Sequence, residues 1–257
     1  MKSMIDSHIH LDHYKDEEIE AIISSSPTIQ SFISVSYDIE SARRNLLLSE
    51  KYSKVKPAFG YHPEQSLPNE NELANLITWI ESNKEKMVAI GEVGLPYYLR
   101  MEAGDPSFPL HGYIELLEAF IILAKKWEMP IVLHAVYDDA PVVCDLLEKH
   151  SIEKAHFHWF KGDSKTIQRL IRNGYFISFT PDIVYEEEIQ EIAKVFPIDQ
   201  IMVETDGPWP FEGPFQGLVT HPKMMNDSVS FLSKQKGMSI QEVYRQLYHN
   251  TKCFYSL

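Results

Sequence analysis

Met4-Ile5-Asp6-Ser7-His8-Ile9-His10 is the stretch on which the reading of this chain turns. Apolar residues bracket two histidines two positions apart, and in a strand such side chains point to the same face. His8 and His10 therefore project together from the end of one predicted strand, and two adjacent imidazoles make half of a metal site. The rest of that site must come from other strand ends, so the count of strands and their last residues decides both fold and chemistry.

Seven further β-rich runs follow: Phe32 to Ser36, Val55 to Gly60, Val88 to Glu92, Ile131 to His134, Ala155 to His158, Tyr175 to Thr180 and Ile201 to Thr205. Between them, Glu17 to Ser25, Glu40 to Lys51, Glu72 to Lys86, Leu110 to Trp127, Ala140 to His150, Ser164 to Asn173 and Glu186 to Val195 carry apolar residues at spacings of three and four. Two more helical patterns follow the last strand. Strict alternation predicts an α/β fold, a single-domain (β/α)8 barrel of the TIM type over residues 1–257. An open doubly wound sheet is the alternative, and its usual function needs a phosphate-binding glycine loop. The chain has neither GxGxxG nor GxxxxGK(S/T). The segment from Val93 to Pro109, rich in Gly, Pro and charge, is expected to be a long loop.

The 37 acidic and 24 basic residues give a formal charge of -13, which opposes binding to nucleic acid through a broad basic surface. A site holding divalent cations brings its own positive charge to a phosphate, so a nuclease stays open. No apolar run is long enough to span a bilayer, and no basic-then-apolar leader opens the sequence; a cytoplasmic protein without membrane contact is expected. Cys144 and Cys253 lie far apart and form no CxxC. Neither a disulfide nor a sulfur-ligated zinc is expected, and both read as buried or partly buried thiols.

Active sites of such barrels form at the carboxyl ends of the strands. His8 and His10 end the first predicted strand, Glu92 the fourth, His134 the fifth and His158 the sixth, and Asp206 follows the eighth. Each alone could be a solvated strand end, but together they point to a metal shell. Imidazoles and carboxylates without thiolates suit two divalent ions, with Mg, Mn or Zn as candidates. Glu92 could bridge them through its two oxygens, about 3.5–4 Å apart and sharing a hydroxide, with Asp206 placed to accept the proton. Glu92 and Asp206 are thus the catalytic candidates, although Asp206-Gly207-Pro208 is also good turn chemistry.

His62, Lys161 and Glu204 are candidate substrate contacts. His62 could reach a substrate oxygen or be a polar loop residue, and Lys161 could meet a phosphate or be a solvated lysine. Glu204 shares the strand parity of Asp206 and could equally be a base, a partner behind the ligands or a buried structural carboxylate. His13, His111, His150, His156, His221 and His249 receive no role; His156 shares a face with His158 but sits deeper in its strand. Tyr97-Tyr98 and Trp159-Phe160 could stack bases, though rim packing is the commoner use of such residues.

Six motifs run through nearly the whole chain: Ile5-Asp6-Ser7-His8-Ile9-His10-Leu11-Asp12, Gly60-Tyr61-His62-Pro63, Ala89-Ile90-Gly91-Glu92-Val93-Gly94-Leu95, Pro130-Ile131-Val132-Leu133-His134, His158-Trp159-Phe160-Lys161-Gly162 and Val203-Glu204-Thr205-Asp206. In this order they resemble the TatD family of metal-dependent deoxyribonucleases, within the wider amidohydrolase-like barrels. The resemblance implies a (β/α)8 fold and metal ligands at His8, His10, Glu92, His134, His158 and Asp206. Some places depart from the family. Pro96 stands where Asp is usual, Trp159-Phe160-Lys161 where Cys-Phe-Ser is usual, and Gln216-Gly217 and Thr220-His221-Pro222 replace an Arg-Gly and Asn-Glu-Pro pattern. Loss of that arginine removes a bidentate phosphate donor and weakens the implication of DNA as substrate.

The expected activity is hydrolysis of a phosphodiester, DNA or another, by water activated at a two-metal centre. The alternatives are hydrolysis of a small ester, amide or phosphomonoester, and a catalytically silent barrel that acts as a binding partner.

Overall fold

The structure, a computed structural model, describes residues 2–257. Eight strands run through it, β1 (Met4–Ile9), β2 (Ile29–Ser34), β3 (Val55–Phe59), β4 (Ala89–Gly94), β5 (Ile131–His134), β6 (Ala155–Phe157), β7 (Phe176–Phe179) and β8 (Ile201–Val203). Helices α1 (Asp16–Ser25), α2 (Ile39–Lys51), α3 (Glu70–Asn83), α4 (Tyr97–Ala103), α5 (Leu110–Trp127), α6 (Asp139–Lys149), α7 (Ser164–Asn173), α8 (Glu187–Val195), α9 (Met225–Lys236) and α10 (Ile240–Phe254) connect and follow them. The strands lie in chain order, β1 beside β2 through to β8, and every pair is parallel. Consecutive order with parallel neighbours is what βαβ crossovers give when one sheet curls on itself; a doubly wound sheet would reverse its order midway.

The seam between β8 and β1 closes at the carboxyl ends. Asp206 donates its backbone N–H to the His8 carbonyl at 3.0 Å, and His10 donates to the Gly207 carbonyl at 2.8 Å. Below these, the buried Asp6 carboxylate accepts the Thr205 backbone N–H at 3.0 Å and its hydroxyl at 2.6 Å. At the other end, Ile5, Ile33, Ala58, Ala89, Val132 and Met202 pack with Phe254 and Tyr255, so the end of α10 plugs the barrel floor. The alternate strand residues, among them Phe32, Phe59, Ile90, Leu133, Phe157 and Ile177, pack outward in the larger cluster shared with the helices.

Two expectations are corrected. The segment Val93 to Pro109 is not a continuous loop, since α4 occupies Tyr97–Ala103. Pro96 starts it, Gly104 ends it in the left-handed region (φ 56°), and the Glu64 carboxylate accepts the backbone N–H groups of Tyr98 and Leu99 at 2.9 and 2.6 Å. That cap comes from a residue 34 positions before Tyr98, so local periodicity could not reveal it. Cys253, expected to be buried or partly buried, is exposed on α10, while Cys144 is buried. No helix among the described residues is long and apolar enough to cross a membrane.

Candidate metal centre

The two strands that carry the central ligands are irregular. Register shifts interrupt β1 between Asp6 and Ile9 and β4 between Ile90 and Val93. Ile5 and Ala89 face the inner cluster, and three residues later His8 and Glu92 reach the centre of the mouth. An odd separation on one face requires such a shift, and bulges beside active sites commonly re-aim a side chain this way. Gly94 lets β4 press against β5, because a Cβ there would lie 1.9 Å from the His134 carbonyl oxygen.

Glu92 is fully buried at the centre of the site. Its Oε2 lies 3.1 Å from His8 Nε2 and 3.3 Å from His10 Nε2. Its Oε1 lies 2.8 Å from His158 Nε2, 3.1 Å from His134 Nδ1 and 3.3 Å from His62 Nε2. Asp206 Oδ1 stands 3.4 Å from His8 Nε2 and 3.7 Å from His10 Nε2. Although these atoms are close, both nitrogens of His8, Glu92 Oε2 and Asp206 Oδ1 have no aligned hydrogen-bond partner among the described residues. Buried imidazole and carboxylate atoms that converge without pairing fit a metal site. Two ligand groups overlap at one residue, His8, His10 and Glu92 on one side and His62, Glu92 and His134 on the other.

The electrostatics follow from crowding charge into the barrel mouth. Burial works to raise the Glu92 carboxyl, but His158, His62 and His8 hold it well below the usual carboxylate range. Burial opposes charge on His158 as well, and there Glu92 and Glu204 outweigh it and raise the imidazolium well above its ordinary value. His62 goes the other way, since burial pushes it down to about 4. Its Nδ1 accepts the Glu64 backbone N–H at 3.1 Å, which leaves the ring hydrogen of the neutral form on Nε2, facing Glu92. Asp206 (φ 49°) and Trp159 (φ 40°) both sit in the left-handed region, uncommon for such residues and characteristic of functional sites.

The six sequence-derived ligand candidates thus meet in one cluster. Lys161 lines the cleft above it. Glu204 does not: wholly buried, it accepts the Trp159 backbone N–H at 2.8 Å and the Ser178 hydroxyl, and stands 3.7 Å from His158 Nδ1. It lies behind His158, wholly buried, and is out of a substrate's reach. His156 lies deeper still, between the Tyr255 hydroxyl at 2.8 Å and Ser178 Oγ at 2.6 Å.

Residues 5–256 match the family described as TatD related DNase. The chain belongs to the TatD family. It is 40% identical to an uncharacterised metal-dependent hydrolase of Haemophilus influenzae, with 99% of this chain and 100% of the relative covered. A human relative named deoxyribonuclease TATDN3 is 28% identical, over 93% of this chain and 90% of its own length. The crystal structure of YjjV, a TatD homologue of Escherichia coli, superposes with a TM-score of 0.89 at 24% identity, covering 100% of both chains, and shares the fold. This TatD-family chain is accordingly a metal-dependent hydrolase.

Several residues of the TatD cleft escaped the sequence reading. Tyr37, Glu64, Asp182, Tyr185 and Trp209 line it. Glu64 also stands 3.1 Å from His134 Nε2, the nitrogen turned away from Glu92. The usable signal was proximity to a motif: Glu64 lies two residues past His62 and Trp209 three past Asp206. The aromatic pairs split, with Tyr98 and Trp159 lining the cleft and Phe160 buried in the core.

Proposed function

We propose that the protein is a phosphodiesterase working at a two-ion centre, on DNA or a comparable phosphodiester. The observation that carries this reading is the division of Glu92, whose Oε2 faces His8 and His10 while Oε1 faces His134, His158 and His62. A single carboxylate shared between two groups of imidazoles supports two neighbouring cation sites, with Asp206 on the side of the first. Divalent ions such as Mg, Mn or Zn, when bound, supply Lewis-acid activation of a water and of the phosphoryl oxygens.

The side chains supply the remainder. Asp206, at the edge of the cleft and beside His8, accepts the proton lost by the attacking water. His62 lines the cleft within reach of a substrate oxygen, and Lys161 offers a positive charge to the phosphate. The deoxyribonuclease name of the human relative supports a phosphodiester substrate.

Metal analysis beside a phosphodiester assay tests this. Two ions per chain are expected in the parent protein, and fewer in Glu92→Gln. Asp206→Asn is expected to lower kcat by about 100-fold to 10,000-fold, the range for a lost general base. A Glu92→Gln protein with parental metal content and parental turnover would sink the proposal.

A further inference from the structure

The cleft above the ligand cluster encloses about 510 Å3, inside the roughly 300–1,000 Å3 of small-molecule sites. Flat aromatic faces line it on two sides. Tyr98, after β4, stacks on Trp159, after β6, with ring centroids 5.9 Å apart and planes at 28°. Trp209 stands at the β8 rim, which the strand order puts across the mouth from β4, and it is 47% exposed. The Lys161 ammonium lies 4.2 Å from the centre of the Trp159 ring. Lys161 is the sole lysine or arginine among the described residues that line the cleft.

The other fixed charge beyond the ligands is negative. Glu64, Asp182, Glu186 and Glu212 line the same cleft, Glu186 and Glu212 being exposed at its edge. Glu187 and Glu188 continue that acidic edge into α8. Proteins that hold a nucleic-acid strand do so with rows of Lys and Arg that neutralise successive phosphates. Here the exposed carboxylates of Glu186 and Glu212 at the cleft edge would repel the phosphates of a longer strand.

We infer that the substrate is a short phosphodiester about the size of a dinucleotide, with at least one flat aromatic group for the aromatic faces of the cleft and a phosphate charge that Lys161 receives. The acidic rim excludes long strands. The inference rests on the phosphodiesterase reading above and narrows it.

Metal-loaded full-length protein is offered thymidine oligonucleotides from two to roughly twenty residues long. kcat/KM is expected to be highest for the shortest and at least about tenfold lower for the longest. Lys161→Met is expected to raise KM for the dinucleotide about tenfold, and the Glu186→Gln/Glu212→Gln variant to narrow the gap between long and short substrates about threefold. A phosphorothioate dinucleotide should quench tryptophan fluorescence, and Trp209→Leu should lose part of that quenching. A kcat/KM that rises with strand length, or Lys161→Met cleaving the dinucleotide as the parent does, overturns this inference and leaves the phosphodiesterase reading standing. No cleavage at any length by protein carrying its ions overturns both.

Discussion

Asp182 shows how one buried carboxyl makes stability depend on pH. It accepts the Trp159 indole N–H at 2.6 Å and the Thr180 hydroxyl, and burial nevertheless pushes it up to about 6. An acid whose folded value is raised binds its proton more tightly in the native state. The native state is therefore favoured below the unfolded value near 3.8 and loses that advantage as pH rises through about 6. Relative to Asp182→Asn, the parent should lose roughly 2–3 kcal/mol of unfolding free energy between pH 4 and 7, measured by urea titration at each pH. Equal slopes for both proteins would remove the burial argument. The ligand candidates were legible because each stood at the end of a β-rich run. Asp182 was not, since its place in the cleft depends on Trp159 from another loop.

At the scale of elements, α4 is the part whose order is set from outside itself. Seven residues make too short a helix to stand alone; Glu64 caps its first turn, and Arg100 pairs with the buried Asp139 at 2.6 Å. Glu64→Ala removes a cap of about 1–2 kcal/mol. Trypsin should then cut after Arg100 about tenfold faster, as read by timed digestion and mass spectrometry. Because Glu64 also touches His134, metal affinity should fall by about 10-fold to 100-fold, measurable by chelator competition. The strands and most helices were legible from spacing. The shifts within β1 and β4 were not, because alternation gives the parity of an ideal strand and a bulge changes it without any mark in composition.

Over the whole molecule, the barrel depends on the seam where Asp6 meets Thr205, residues 199 apart in sequence. Asp6→Ala leaves the Thr205 N–H and hydroxyl buried without their acceptor. Roughly 2–4 kcal/mol should be lost, seen as a lower denaturant midpoint, and metal affinity should fall with it because His8 lies next to the same seam. An unchanged midpoint would show that β1 and β8 close without the carboxylate. The barrel was legible in the alternation of eight strands and the absence of a glycine loop, whereas the role of Asp6 appears only once the last strand lies beside the first. That order has a consequence for synthesis on the ribosome. Until β8 emerges, β1 keeps an open edge of unpaired backbone groups, and His8 and His10 wait without Asp206. A nascent chain stalled before Ile201 would be both prone to aggregate and poor at retaining metal, so the moment of ring closure is also the moment at which the chain becomes competent to bind metal.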